Sequence, residues 1–249
     1  MKLHVISSSS EGNCYLLEGS RTALIIECGQ APQKMVTMTG IDFGKIVGAV
    51  VTHEHGDHAA YIDKFALRGI PIIASAGTLE KCGLLRHRQA CPIRATQSLA
   101  IGDFIVRAFG VQHDAAEPLG FIIEHPEAGK ILFVTDTGRI PYNFKAYRLN
   151  HLLIEANFSD DVMLRNIEQG RTATVQYERV IRTHLSIEAC CATIAECATP
   201  ALATVVLIHL SDGNSHARRF AAQAQKTAPF TRVHVADEGL TIELNKDEF

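Results

Sequence analysis

What this chain lacks narrows its class before any motif is considered. No run of about 18 apolar residues occurs, so no stretch is built to cross a bilayer as a helix. The opening Met1-Lys2-Leu3-His4-Val5-Ile6 runs into serines without the apolar core of an export signal, so a cytoplasmic protein without a membrane partner is expected. An excess of one charge is also missing. A net charge of −3 with 20% charged residues excludes coating of nucleic acid through the global field and leaves any such contact to a local basic patch. The seven cysteines, at 14, 28, 82, 91, 190, 191 and 197, are odd in number and include no CxxC pair. That pattern speaks against a disulfide framework and for reduced, buried thiols. There is no internal repeat, low-complexity tract or linker, and 249 residues with 47% hydrophobic content suit one α/β domain spanning 1–249.

What is present concentrates in Thr52-His53-Glu54-His55-Gly56-Asp57-His58. The preceding Val47-Gly48-Ala49-Val50-Val51 reads as a buried strand. If its geometry persists slightly past the sheet, the period of two sends His53 and His55 to one side. Gly56 allows a sharp turn, after which Asp57 and His58 can face a second position a few ångströms away. One loop can therefore serve two neighbouring cations.

Short apolar runs at 3–6, 14–17, 23–26, 70–74, 104–109, 121–123 and 131–134, each bounded by Gly, Pro, Ser or Asp, read as strands. Helical spacing is expected over 59–67, from a cap at Thr78 to about residue 85, over 172–182, over 187–198 with Ser186 as N-cap, and over 215–226. The tail 245–249 is expected to fray. Strands with interspersed helices point to an α/β sandwich on mixed sheets.

Three further polar residues stand where a strand ends, the place α/β folds keep their chemistry. His113 follows Phe109-Gly110-Val111-Gln112, Asp136 follows Leu132-Phe133-Val134-Thr135, and His209 follows Val205-Val206-Leu207-Ile208. The partition that satisfies counting puts His53, His55 and His113 on one metal, Asp57, His58 and His209 on the other, and Asp136 between them.

This ordered series, HxHxDH, a lone His, Asp in Val-Thr-Asp-Thr-Gly and a late His, resembles the metallo-β-lactamase fold superfamily. The resemblance implies an αββα sandwich of two mixed β-sheets flanked by helices, with a dinuclear site at one edge. A narrower resemblance is to the WalJ/YycJ/VicX branch of DNA exonucleases acting 5′ to 3′. It is carried by Ser8-Ser9-Ser10-Glu11-Gly12-Asn13-Cys14-Tyr15-Leu16, by His113-Asp114-Ala115 with Pro118-Leu119-Gly120-Phe121, by Ile154-Glu155-Ala156-Asn157 and by Thr183-His184-Leu185-Ser186. One departure stands out: Glu27-Cys28-Gly29 occupies the place of the usual Asp-x-Gly turn, so the acidic role behind the ligands passes to the longer Glu27.

The expected chemistry is hydrolysis of a phosphodiester in DNA by a hydroxide bridging two divalent metal ions, with Zn, Mn or Fe all compatible with the donor set. Asp57 would aim the attacking oxygen. His184, before the N-terminus of the next helix, is expected to touch substrate together with Ser186, and Ser9 and Asn13 to offer polar groups to a phosphate. Arg86, His87, Arg88 and Arg94, Arg171, Arg179 and Arg182, and Arg218 with Arg219 could flank a nucleic-acid channel. Two other readings follow from the same residues: a hydrolase of a thioester, ester or lactam, since an activated water attacks a carbonyl as readily, and a non-catalytic, metal-stabilised DNA-binding module. The oligomeric state is left open.

Overall fold

The computed structural model describes residues 1–171 and 173–246. Among these, β1 (Lys2–Ser9), β2 (Gly12–Glu18), β3 (Ala23–Ile26), β4 (Ile46–Val50), β5 (Ile72–Ala74) and β6 (Ala90–Pro92) form one sheet in sequence order. A second sheet runs through β7 (Ser98–Ile101), β8 (Phe104–Gly110), β9 (Leu119–His125), β10 (Gly129–Val134), β11 (His151–Glu155), β12 (Thr204–Ile208) and β13 (Arg232–Val235). The last strand, β14 (Thr241–Glu243), returns to pair antiparallel with β1. Both sheets are mixed. In the first, β1 to β3 are antiparallel and β3 to β6 parallel; in the second, β7 to β10 are antiparallel and β10 to β13 parallel.

The period of two sorts the apolar residues into three layers of contact. Ile131 and Phe133 of β10 point into the inter-sheet core beside Val5, Tyr15, Ile26 and Val50, whereas Leu132 and Val134 of the same strand point outward. Helices cover those outward faces. α1 (Pro32–Thr39), α3 (Ile62–Leu67) and α4 (Ala76–Lys81) bury Met35, Phe65 and Leu79 against the first sheet. α7 (Ile187–Cys197) and α8 (Ala217–Thr227) bury Ile187, Ile194 and Phe220 against the second. The result is the expected αββα sandwich. Tyr15 and Phe133 meet edge to face across its middle, 5.6 Å apart, and truncating Phe133 to Ala should cost about 3–5 kcal/mol.

Several local expectations needed correction. Ser75, not Thr78, caps α4, because its hydroxyl accepts the Thr78 N–H at 3.0 Å. The helix expected over 59–67 is two pieces, α2 (Gly56–Ala59) and α3, because the chain must turn after delivering His58. The segment expected at 172–182 is α6 (Thr174–Thr183), with Thr172 outside the described residues. Of the tail expected to fray, Lys246 donates its backbone N–H to the Glu127 carbonyl at 2.8 Å, so it is tied down; 247–249 lie outside the described residues. α5 (Asp160–Glu168) and α1 were not anticipated. All seven cysteines are free, and among the described residues no helix is long and apolar enough to cross a membrane.

Candidate metal centre

Strands β3, β4, β10, β11 and β12 end at one edge of the sandwich, where the last residue or one of the next three places Glu27, His53, Asp136, Glu155 and His209. Three of these residues leave their strands in the left-handed region: Glu27 after β3 (φ 63°), Asp136 after β10 (φ 48°) and His209 after β12 (φ 53°). For a residue with a Cβ this costs on the order of 1–3 kcal/mol, and it persists only where packing over-determines the backbone. Here it swings each side chain out of the strand's alternation and into the shared edge.

The seven residues singled out in sequence converge. His53, His55, His113 and Asp136 can each present one donor atom within 4.8 Å of all the others, and so can Asp57, His58, Asp136 and His209. Asp136 is common to both sets. Its Oδ2 lies 3.7 Å from His53 Nε2 and 3.3 Å from His113 Nε2, and its Oδ1 lies 2.7 Å from His209 Nδ1 and 3.5 Å from His58 Nε2. Asp57 Oδ2 faces His58 Nε2 at 3.0 Å and His209 Nε2 at 3.4 Å.

These donors fit a pair of divalent cations. His53 Nε2 is buried with no hydrogen-bond partner. His113 Nδ1 reaches the Thr183 carbonyl at 2.9 Å, which leaves the lone pair of its neutral ring on Nε2, 3.1 Å from His55 Nδ1. Two imidazole nitrogens facing each other across that gap are an arrangement a cation stabilises and a proton satisfies only once. The rings are also oriented from behind, as ligands need to be: Thr52 Oγ1 sits 2.9 Å from His53 Nδ1, and Glu27 Oε1 3.5 Å from His58 Nδ1.

Charge is distributed unevenly between the two sets. Burial opposes ionisation of Asp136, but His209 and His58 hold it well below the usual carboxylate range. Against the same burial, Asp136 in turn lifts both of those imidazoles well above their ordinary value. In the other set, burial pushes His53 and His113 down. Protons thus balance the carboxylates around Asp57, in the place a dication would take, whereas His53 and His113 are held as neutral donors.

Glu27 takes the place expected for it behind the ligands. Its Oε1 accepts from Thr52 Oγ1 at 2.6 Å and its Oε2 from Thr52 N–H at 3.3 Å, so it pins the start of the histidine loop as well as facing His58. Gly29 completes that turn: a Cβ there would run into the carbonyl oxygen of Asp57.

Sequence reasoning assigned no role to Glu155, which ends β11 fully buried. Its Oε1 lies 2.7 Å from His184 Nδ1 and 3.3 Å from His209 Nδ1, and its Oε2 accepts from Leu185 N–H at 3.1 Å. The available signal was positional: an acid closing the apolar run Leu152-Leu153-Ile154 has the same local form as Asp136 and His209.

The remaining expectations fare differently. His184, 20% exposed at its side chain, stands at the rim of the site. Asn13 is 1% exposed, and its amide donates to the Ser9 carbonyl and reaches Asp57 Oδ2 at 3.4 Å, so it braces Asp57 instead of facing substrate. Ser186 spends its hydroxyl on the cap of α7 and Ser9 on the Glu11 N–H. Of the arginines, Arg179 pairs with Asp114 beside His113, and Arg219 makes two 2.7 Å bonds to Asp161.

The sequence matches the family model described as "Beta-lactamase superfamily domain" over residues 27–210. Exodeoxyribonuclease YycJ of Bacillus anthracis is 28% identical over 229 residues, covering 86% of this chain and 85% of that protein. Exodeoxyribonuclease WalJ of Streptococcus pneumoniae is 25% identical over 174 residues, covering 65% and 64%. Among solved structures, the metallo-beta-lactamase fold protein YhfI from Bacillus subtilis superposes with a TM-score of 0.76 over 97% of this chain and 98% of its own, at 17% identity.

Proposed function

Because the chain belongs to the beta-lactamase superfamily, a family of metal-dependent hydrolases, we propose that it is a phosphodiester hydrolase acting on DNA, and within that class a 5′ to 3′ exonuclease. The observation that carries this reading is the pair of donor sets sharing one carboxylate, Asp136, at the exposed edge of the sandwich. Its specification to DNA rests on the sequence relation to a protein named an exodeoxyribonuclease that spans 86% of this chain.

His53, His55, His113 and Asp136 would hold one cation, and Asp57, His58, His209 and Asp136 the other. Two such cations lower the pKa of water toward neutrality and offset the charge that builds on phosphate oxygens in an in-line displacement. The identity of the metal, with Zn, Mn or Fe compatible, is set by the imidazole-rich donors only as far as that class.

The protein's own groups do the positioning. Asp57, held between His58, His209 and the Asn13 amide, keeps a fixed acceptor for the proton of the attacking water. His184 has its Nδ1 fixed by Glu155, which leaves Nε2 to donate to a phosphate oxygen at the rim. The same Glu155 holds the Leu185 N–H, so the segment before α7 is set by one carboxylate. No side-chain nucleophile is required by this arrangement.

The test is direct: quantify metal in the purified protein, then incubate it with 5′- and 3′-end-labelled single- and double-stranded DNA and follow product length over time. Progressive loss of nucleotides from the 5′ end, abolished by a chelator and restored by one of the three metals, is the expected result. Inertness toward DNA with every metal, alongside turnover of a thioester or lactam, would replace the phosphodiester reading with the carbonyl one.

A further inference from the structure

The 139–148 segment after the Asp136 turn does not simply close over the second sheet. Between it and strands β8 and β9 lies a cavity of about 290 Å³. Phe109, Ile122 and Phe144 form its apolar floor, while Tyr142, Arg107 and Thr96 stand at its mouth. We propose that this cavity is a nucleobase subsite, which takes one unpaired base of the DNA strand a few nucleotides from the bond that is cut. The inference rests on the DNA reading above and extends it to the form of the substrate.

Four observations support it. The first is chemical: Phe109 meets Tyr142 at 5.4 Å and Phe144 at 5.2 Å, so aromatic faces and edges surround the space, and the Arg107 guanidinium lies 5.9 Å from the Tyr147 ring centre. Ring stacking with a nearby cation suits any base, because each presents a π-face. The second is exposure. Tyr142 keeps 39% of its surface in solvent despite sitting in this cluster, as a stacking platform must. The third concerns the Pro118-Leu119-Gly120-Phe121 stretch, which the metal chemistry leaves unused. A Cβ on Gly120 would run into the Phe109 ring, so the glycine is what lets that ring lie against β9 and form the floor.

The fourth is continuity with the metal centre. Phe109 is four residues before His113, and Tyr142 six after Asp136. An extended chain spans at most about 3.6 Å per residue, so the Cα atoms of Phe109 and Tyr142 lie within about 14 and 22 Å of those of the two ligands. A stacked strand advances about 3.4 Å per nucleotide, which puts the subsite a handful of nucleotides from the cations. The two segments are zipped together between these points: Gly138 N–H donates to the Gln112 carbonyl at 3.3 Å, and Arg139 Nε to Gln112 Oε1 at 2.9 Å. Arg139 is exposed there, where the connecting phosphates would pass. Thr96 at the mouth holds φ of 73°, a conformation β-branched residues rarely adopt, which fixes its side chain at the rim.

The experiment compares the holoenzyme with Tyr142→Ala and Tyr142→Phe on two substrates, bis(p-nitrophenyl) phosphate and a single-stranded 12-mer in which one abasic nucleotide is moved through the first six positions. Wild-type enzyme should show a KM raised about tenfold at one position of the abasic nucleotide and not at the others. Tyr142→Ala should raise KM for the intact 12-mer by a similar factor, lose the position dependence, and keep wild-type turnover of the small phosphodiester; Tyr142→Phe, which retains the ring, should behave as wild type. A flat abasic scan in wild-type enzyme, or an equal loss on both substrates in Tyr142→Ala, overturns the subsite and leaves the hydrolase reading intact. If wild-type protein cleaves neither substrate, the phosphodiester reading fails. The subsite is then decided by binding the same 12-mers carrying 2-aminopurine: quenching at one position, lost in Tyr142→Ala, upholds it, and uniform fluorescence removes it.

Discussion

The two ends of one strand carry ionisable side chains with opposite fates. His151 opens β11 and Glu155 closes it, and both are fully buried. At the opening end, burial pushes His151 down to about 4, so the ring sits in the core as a neutral group. At the closing end burial also opposes charge, yet Glu155 is held below its ordinary value by His184 and His209. The strand, the depth and the neighbouring apolar residues are shared; the partners differ. Burial alone neutralises a titratable group, whereas burial among opposite charges and directed N–H donors keeps it ionised, and only the second arrangement makes a site.

The largest expected effect breaks the catalytic end outright. Asp136→Asn keeps the shape of the carboxylate that faces all four of His53, His58, His113 and His209 but removes its charge. Metal content measured by elemental analysis should fall, and hydrolysis should drop by about 10³-fold or more, on the order of 4 kcal/mol. Undiminished turnover with full metal would remove Asp136 from between the two donor sets.

A smaller change sharpens the comparison. Glu155→Gln preserves volume and one acceptor but cannot hold His184 as an ion pair, so turnover should fall about 10- to 100-fold while thermal stability changes little. Glu155→Leu, which gives this end the character of the other, should lose both activity and stability, because it takes from His184 its 2.7 Å carboxylate partner and from His209 one of three. Wild-type kinetics in Glu155→Gln would show that the rim histidine is positioned by something else.

The smallest effect concerns the opposite end and depends on pH. In the folded chain His151 titrates at about 4 in place of 6.5, so between those values the unfolded chain binds the extra proton. Stability therefore rises with pH through that window and is lost on acidification, by about 2 kcal/mol at pH 5 from this group. His151→Leu should flatten the slope of urea-denaturation free energy between pH 7 and 5 without altering hydrolysis at neutral pH. An unchanged slope would mean that the wild-type ring is protonated in the fold, contrary to its burial.

Legibility from sequence followed the same divide. Strands buried on both faces, such as Ala23–Ile26 and Ile131–Val134 within β10, read as short apolar runs and were anticipated, with the exception of β11, whose apolar run is bracketed by His151 and Glu155. The edge strands β6, β7, β13 and β14 were not, because each is only three or four half-exposed residues, too short for its alternation to stand out. The misplaced cap at α4 has a similar cause: Ser75 and Thr78 are both capping residues, and only the bond between them says which one accepts.

By itself the sequence determined the sandwich and nominated seven residues that meet, because strand periodicity is a local property and a polar residue at the end of an apolar run is visible without knowing its neighbours. The tertiary structure alone decided that Glu155 stands behind His184 and His209, that Asn13 braces Asp57, and that Gly120 makes room for Phe109 beneath Tyr142. Those relations join residues from 11 to 54 positions apart, and no periodicity records which distant backbone passes within 3 or 4 Å of a given side chain.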